Sequence, residues 1–255
     1  MILTAENYYS KEASLEYMGS TQFKKFLECE ASAVAEINGE ISEEITTALL
    51  VGSYVDAHFE GTLDIFKAKN PEIFTKKGEL KADYAQAEYI IERVERDKMF
   101  MNFMSGEKQK IMTGKIEEVP FKIKIDSYLK DNCIVDLKVI RDFQRIWIDG
   151  KGKTTFVEAW GYDIQAAIYQ EIEFQNSGKR LPFYIAAATK EKPEPDLAII
   201  SIPQAQLDFC LRMVKINVKH FDNLKRGLEE PTRCEKCDYC KKTKQLCEVV
   251  DYLDM

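Results

Sequence analysis

Histidine is scarce in this chain of 255 residues: only His58 and His220 occur. That leaves little room for a Ser-His-Asp hydrolase, and no Gly-x-Ser-x-Gly elbow is present to carry its serine. A phosphate-binding P-loop is missing too. Gly152-Lys153-Thr154 ends like one, but Trp147 stands where the loop's first glycine must be, so no nucleotide-driven motor is expected. No segment approaches the roughly 18 consecutive apolar residues of a membrane-spanning helix. Residues 1–9 have neither the basic start nor the apolar core of a secretory signal. The expectation is a cytoplasmic chain without a membrane partner, its seven cysteines reduced rather than paired. Internal repeats and low-complexity linkers are also absent. The length suits one large core, so a single domain over 1–255 is expected, with its core at about 41–228 and a cysteine-rich tail at 229–255 packing near the N-terminal helix.

What is present concentrates between residues 121 and 139. Asp126 is followed ten positions later by Asp136, Leu137 and Lys138, and Ile123, Ile125, Ile134 and Val135 surround these charges. Charge in a buried strand pair is costly unless a metal ion or a reaction requires it. Lys130, Asp131 and Asn132 break two β-prone runs and read as a hairpin turn. Pairing symmetric about Asp131 sets Asp126 opposite Asp136, with side chains roughly 5 Å apart at Cβ. Lys138 shares their face. Two carboxylates so placed can share one divalent cation, and an adjacent amine suits metal-assisted phosphodiester hydrolysis. On spacing alone, a surface hairpin with Asp and Lys on its exposed face accounts for the same residues. The apolar flanks and the downstream sequence favour the first reading.

Downstream, residues 155–176 read as a helix ended by Gly178, with Phe156, Trp160, Ile164, Ala167 and Ile168 as its apolar stripe. Gln165 and Tyr169, four apart, share one face of it. In the order Asp…Asp-x-Lys…Gln-x3-Tyr, these residues resemble the PD-(D/E)xK nuclease superfamily in its RecB-like branch. They come closest to the RecE-like exodeoxyribonuclease VIII domains of phages and prophages, over about residues 21–240. The resemblance implies an α/β fold, a restriction-endonuclease-like core with a central mixed β-sheet flanked by helices and, here, a cysteine-rich C-terminal tail. It also implies a DNA exonuclease dependent on Mg²⁺ or Mn²⁺, acting 5′ to 3′ on double-stranded ends in phage-type recombination. A RecT-like single-strand annealing protein is the implied partner, and ring-shaped homo-oligomers the implied assembly.

The same resemblance implies a metal-ligating histidine on a helix before the hairpin. Residues 45, 48, 51, 55, 58 and 59 follow helical spacing, so His58 lies on or beside an apolar stripe. A core histidine satisfied by a hydrogen bond is the ordinary reading of such a position, and the resemblance favours ligation. Asp56 and Glu60 rank behind it because they project from other sides of the helix. Carried over residue by residue, His58, Asp126, Asp136 and the backbone carbonyl of Leu137 would hold the metal. Lys138 would orient or deprotonate the attacking water and stabilise charge on the phosphorane. Gln165 and Tyr169 would brace the site and touch the DNA backbone. His220 receives no role.

Cysteine supplies a second signal: Cys234, Cys237, Cys240 and Cys247 crowd the tail, and Cys29 lies far upstream. Such density suggests metal. AddB-type and CRISPR-associated RecB-like nucleases have a similar layout and bind a [4Fe-4S] cluster. That implies a site of Cys29, Cys234, Cys237 and Cys240, with Cys247 as a substitute. Zinc and free thiols remain the alternatives, whereas Cys133 and Cys210 read as buried structural residues.

The net charge of −7 looks wrong for a DNA-binding protein, but it is unevenly spread. Residues 1–65 hold 3 basic and 12 acidic side chains, and 211–245 hold 10 basic and 5 acidic. Lys215, Lys219, Lys225, Arg226, Arg233, Lys241, Lys242 and Lys244 are candidates for phosphate contacts, and Arg145, Lys151 and Lys153 form a second group. The remaining pattern predicts helices at 21–37, 43–66, 82–104 and 204–228. Strands are expected at 110–117, 120–128, 133–140, 183–189 and 197–202. Two rivals accompany the exonuclease reading: an iron–sulfur AddB-like or CRISPR-associated nuclease of other polarity, and a non-catalytic DNA-binding module that kept the fold.

Overall fold

The computed structural model describes residues 1–42, 46–246, 249 and 251. Three helices lead, α1 (Lys11–Glu16), α2 (Ser20–Glu28) and α3 (Glu30–Asn38), followed by α4 (Thr47–Glu60), α5 (Leu63–Lys69), α6 (Ala82–Glu95) and α7 (Lys98–Phe103). Strands β1 (Glu107–Ile116), β2 (Val119–Leu129) and β3 (Cys133–Ile140) come next, then a small hairpin of β4 (Ile146–Ile148) and β5 (Gly152–Thr154). Helices α8 (Phe156–Ala159) and α9 (Tyr162–Ser177), strands β6 (Phe183–Thr189) and β7 (Leu197–Ser201), and helices α10 (Gln204–Lys225) and α11 (Asp238–Lys242) follow among the described residues. None of these helices is long and apolar enough to cross a membrane.

The main sheet has the order β1-β2-β3-β6-β7. Only β3 and β6 run parallel, because α9 carries the chain back across the sheet between them, and the other pairs are antiparallel. Alternation along β3 builds two cores. Cys133, Val135 and Leu137 pack with Val51, Tyr54 and Val55 of α4 and Ile90, Ile91 and Val94 of α6. Ile134 and Ile140 face the other way, toward Ile168 and Ile172 of α9, Val214 and Val218 of α10, and Phe23 and Phe26 of α2. Each fully buried aliphatic or aromatic side chain contributes about 1.5–3 kcal/mol. Into that second stripe, between Ile134 and Ile140, the sequence inserts Asp136 and Lys138. On α6 the inner face of Tyr84, Ala87, Ile90, Ile91 and Val94 is buried. Cys133 and Cys210 are buried too.

The predicted strands match closely, but four predicted helices are each split in two. The first breaks at Cys29, which is extended between α2 and α3. The second, whose first residues lie outside the described ones, breaks at Gly61, and the third at Asp97, whose side chain caps α7. The fourth breaks at Gly161, which has φ 59° and packs so closely that a Cβ there would meet Lys24 Cδ at 2.8 Å. Trp160, expected on the apolar stripe, lies at this break and is 58 % exposed. An interruption of one or two residues leaves the apolar period nearly intact on either side, so the pattern could not show it.

Candidate active site

The site grows out of a fork in the sheet. Strands β2 and β3 pair at Ser127↔Val135, Tyr128↔Ile134 and Leu129↔Cys133, the register symmetric about Asp131 that the sequence predicts. Beyond Ser127 the ladder stops. Asp126 Oδ2 instead accepts the Leu137 backbone N–H at 2.8 Å, so a carboxylate replaces a strand carbonyl where the two strands part. The edge of β2 left open by this parting is taken by the N-terminal segment. Met18 bridges to Phe121, its N–H donating to Pro120 O at 2.8 Å and its carbonyl accepting from Lys122 N at 3.0 Å. Between this segment, α2, α3 and the fork lies a cleft of about 680 Å³, lined at its base by Asp56, Asp126, Asp136, Lys138, Gln165 and Tyr169.

Three carboxylates converge there. Burial, then the charge of Asp136, pushes the Asp126 carboxyl up to about 7, against the opposing pull of Lys138 and the Leu137 N–H. Asp56 on α4 is driven well above the usual carboxylate range, first by burial and next by Asp126. Asp136 is 3 % exposed. Its Oδ1 accepts from Gln165 Nε2 at 2.8 Å, and its Oδ2 lies 2.5 Å from Lys138 Nζ as an ion pair, with no hydrogen-bond donor in line among the described residues. Acids this close cannot all ionise without a compensating cation. The buried Asp136 Oδ2, left without an aligned donor, and the two acids beside it therefore fit a hard divalent ion, which takes oxygen ligands.

The Lys138 ammonium touches Asp136 and also Leu137 O, at 3.3 Å, and sits 5.1 Å from the centre of the Tyr162 ring. Burial works against its charge, but Asp136, Asp126 and Tyr162 outweigh it and hold the amine above its ordinary range. Lys24 of α2 approaches the same ring at 5.3 Å and donates to Trp160 O at 3.1 Å. Burial and then Lys138 lower its amine to about 8. Tyr169 does not touch the acids. Its hydroxyl donates to Lys124 O at 3.2 Å and so ties α9 to β2 just before Asp126.

The structure thus brings together Asp126, Asp136, Leu137, Lys138, Gln165 and Tyr169. His58 is not among them: its Nε2 lies 2.8 Å from Glu95 Oε1 of α6, and it does not line the cleft. Asp56, two residues earlier, faces the site instead. The available signal was a lone acid amid Tyr54, Val55 and Ala57, all buried. Among the basic candidates, Lys151, Lys153, Lys241 and Lys242 are exposed. Lys225 is buried and donates to Ser14 O at 3.2 Å, which removes it from the phosphate-binding set. Arg226 is held by Asp222 and Arg233 by Glu235, both at 2.7 Å. Tyr162 and Lys24 escaped sequence reasoning because only the fold sets them beside Asp136.

Away from the fork, Cys29, Cys234, Cys237 and Cys240 form a second cluster with all four sulfurs within 4.8 Å of one another. Cys29 Sγ lies 3.6 Å and Cys234 Sγ 3.9 Å from Cys240 Sγ. The N–H of Cys237 donates to Cys234 Sγ at 3.3 Å, and that of Cys240 to Cys237 Sγ at 3.5 Å. Backbone donors, those of Lys236 and Cys237 first, lower the Cys234 thiol to about 6, which is ligand chemistry. Glu30 braces the junction by accepting from Thr232 N and Oγ1 at 2.8 and 2.7 Å and pairing with His220 at 2.8 Å. Cys247 lies outside the described residues.

Comparison with known proteins agrees with this architecture. A family model described as a PDDEXK-like domain of unknown function (DUF3799) matches residues 19–243. A crystal structure at 2.19 Å of a protein from Eubacterium rectale, provisionally named an exonuclease, is 49 % identical to this chain, with a TM-score of 0.94. The alignment covers 100 % of this chain and 98 % of that one. A second solved structure, that of SSO0001, aligns over 78 % of this chain and 85 % of its own at 12 % identity, with a TM-score of 0.27. No curated protein matches the sequence. With the mixed sheet, the charged fork and most of its length matched, the chain belongs to the PDDEXK-like domains of unknown function, and through them to the PD-(D/E)xK nuclease superfamily.

Proposed function

We propose that this protein is a metal-dependent deoxyribonuclease that hydrolyses phosphodiester bonds from DNA ends. The observation that carries the reading is the meeting of Asp56, Asp126, Asp136 and Lys138 at the base of one cleft. Asp56, Asp126 and Asp136, with the Leu137 carbonyl, would hold Mg²⁺ or Mn²⁺. Bound there, the ion would supply Lewis-acid polarisation of the scissile phosphate and a more acidic water. The Lys138 ammonium orients the attacking water and offsets charge growing on the phosphorane oxygens. Gln165 fixes the Asp136 carboxylate through its 2.8 Å bond, and Tyr169 fixes β2 through Lys124 O. Exposed Lys151, Lys153, Lys241 and Lys242 are available for sequence-independent phosphate contacts.

The finer reading is 5′ to 3′ degradation of double-stranded ends in phage-type recombination, with a RecT-like annealing partner and a ring-shaped homo-oligomer. It rests on the order of the sequence motifs. In Mg²⁺, linear duplex is expected to disappear while covalently closed circular duplex survives. Cleavage of both would mean an endonuclease, and cleavage of neither with any divalent metal would favour a DNA-binding module.

The cysteine cluster we read as a structural zinc site. Sulfurs bound tetrahedrally at about 2.3 Å to one zinc ion lie about 3.8 Å apart, close to the 3.6 and 3.9 Å separations seen here. A [4Fe-4S] cluster sets four irons between its cysteines and needs a wider cage. Elemental analysis of protein purified without oxygen is expected to give about one zinc per chain. A brown protein carrying iron and sulfide would overturn this and favour the iron–sulfur nuclease rival.

A further inference from the structure

The cleft wall opposite the carboxylates is built by residues 8–22, and it carries one feature that the proposed hydrolysis leaves unused. Tyr8 and Tyr9 are adjacent, with rings perpendicular and 5.0 Å apart, yet their surroundings differ. Tyr8 is 7 % exposed and Tyr9 74 % exposed. Both line the same cleft as Asp126 and Asp136. The segment is held firmly: Lys122 Nζ donates to Tyr8 O at 2.5 Å, Lys225 Nζ to Ser14 O at 3.2 Å, and Met18 is paired to β2. Tyr9 is therefore a solvent-facing ring on a fixed mount.

Lys124 Nζ lies 4.7 Å from the centre of the Tyr9 ring. Lys124 and Asp126 are two residues apart on β2, so their side chains leave the same face about 6.6–6.8 Å apart along the strand. That is comparable with the step between neighbouring phosphates on an extended nucleic-acid strand. An ammonium beside an aromatic ring, one such step from the carboxylates, pairs a phosphate contact with a stacking surface. Stacking accepts every base because every base has a π-face, which suits an enzyme that must pass any sequence. A cleft of about 680 Å³ has the capacity of a pocket for one drug-sized ligand, thus a nucleotide or two and not a duplex.

We propose, resting on the nuclease reading above, that Tyr9 is a specificity-determining residue. Its ring stacks on an unpaired base next to the scissile phosphate while Lys124 contacts the adjoining phosphate, so the strand enters the site single. The test is binding of a fluorescein-labelled single-stranded oligonucleotide, read by anisotropy in the inactive Asp136→Asn background. Tyr9→Leu is expected to weaken binding about tenfold, and Tyr9→Trp to restore it. Against the same oligonucleotide made abasic, Tyr9→Leu and the Tyr9 parent should bind alike. Equal affinities on the normal strand, or an equal loss on the abasic one, would overturn the assignment. In the active enzyme, forked duplex ends should be degraded faster than flush ends. Because binding is measured without turnover, absence of any cleavage would defeat the nuclease reading while leaving the stacking result interpretable. Cleavage without a Tyr9 contrast would defeat only the stacking.

Discussion

Replacing Lys138 by Ala is expected to lower kcat at least a thousandfold without lowering affinity for DNA by a comparable factor. The half-buried amine lies 2.5 Å from Asp136 Oδ2, and Asp136 and Asp126 hold it charged. A fixed cation in a low-dielectric site stabilises developing negative charge far more than one in water. Losing about 4 kcal/mol of such stabilisation corresponds to a factor of about a thousand. Asp136→Ala should be at least as severe, because it removes both the ion's ligand and the partner of Lys138. Gln165→Ala should be milder, about 10- to 100-fold in apparent metal affinity, since Gln165 only orients the Asp136 carboxylate. Initial rates on linear duplex, with melting curves to check folding, decide the matter. A Lys138→Ala protein that stays folded and keeps within tenfold of the wild-type rate would sink the assignment.

The second large effect concerns stability. Asp56→Asn is expected to abolish turnover and yet raise the melting temperature of the metal-free protein at pH 8. Asp56 and Asp126 are both pushed above the usual carboxylate range, Asp126 to about 7. The folded state therefore holds protons that the unfolded chain has released. That contribution is present below about pH 4, declines as pH rises toward 7, and at pH 8 has become the full cost of crowding ionised acids. Removing one acid relieves it. Each kcal/mol recovered shifts Tm by about 2–4 °C in a chain of this size, and the gap between variant and wild type should narrow sharply at pH 5. Adding Mg²⁺ should reverse the order at pH 8, since wild type gains about 2.7 kcal/mol at a hundred times Kd and the variant loses its ligand. Calorimetry in EDTA and in Mg²⁺ checks both halves. A variant less stable than wild type in EDTA, with an unchanged Mg²⁺ response, would mean that Asp56 is an ordinary structural residue.

Most of the sheet was legible because strand signals are local. The runs around Ile123, Ile134 and Ile185 are β-rich and bounded by turns, and a polar turn at Asp131 sets the register of β2 against β3. The same local logic located Asp126, Asp136 and Lys138, whose charges interrupt apolar strands, and Gln165 and Tyr169, which share a helix face. What failed was long-range. Which of His58 and Asp56 faces the acids depends on how α4 rolls against β3 and α6, and the Glu95 that claims His58 lies 37 residues further on. Periodicity reports that a helix has an inner face but not which neighbour takes each of its other sides. The cleft wall was invisible for the same reason. Nothing in residues 8–18 announces that their partners are Lys122, Pro120 and Lys225, because the pairing joins the chain's beginning to its middle and end.

That pairing sets an order of events during synthesis. Met18 leaves the ribosome well before its partners and has no strand to join until Pro120 and Lys122 have emerged, and Cys29 waits longer still for Cys240. At about 5–20 residues per second, the N-terminal segment waits several seconds for the first of these partners and longer for the second. Pro120 and Lys122 emerge before Asp126 and Asp136, so the strand partners of the Tyr9 segment are in place before the acids meet, whereas Lys225 and Cys240 come much later. A product that stopped short of Lys225 would therefore present the charged fork with its Tyr9 wall held at Met18 and Lys122 but without the Lys225 tie to Ser14.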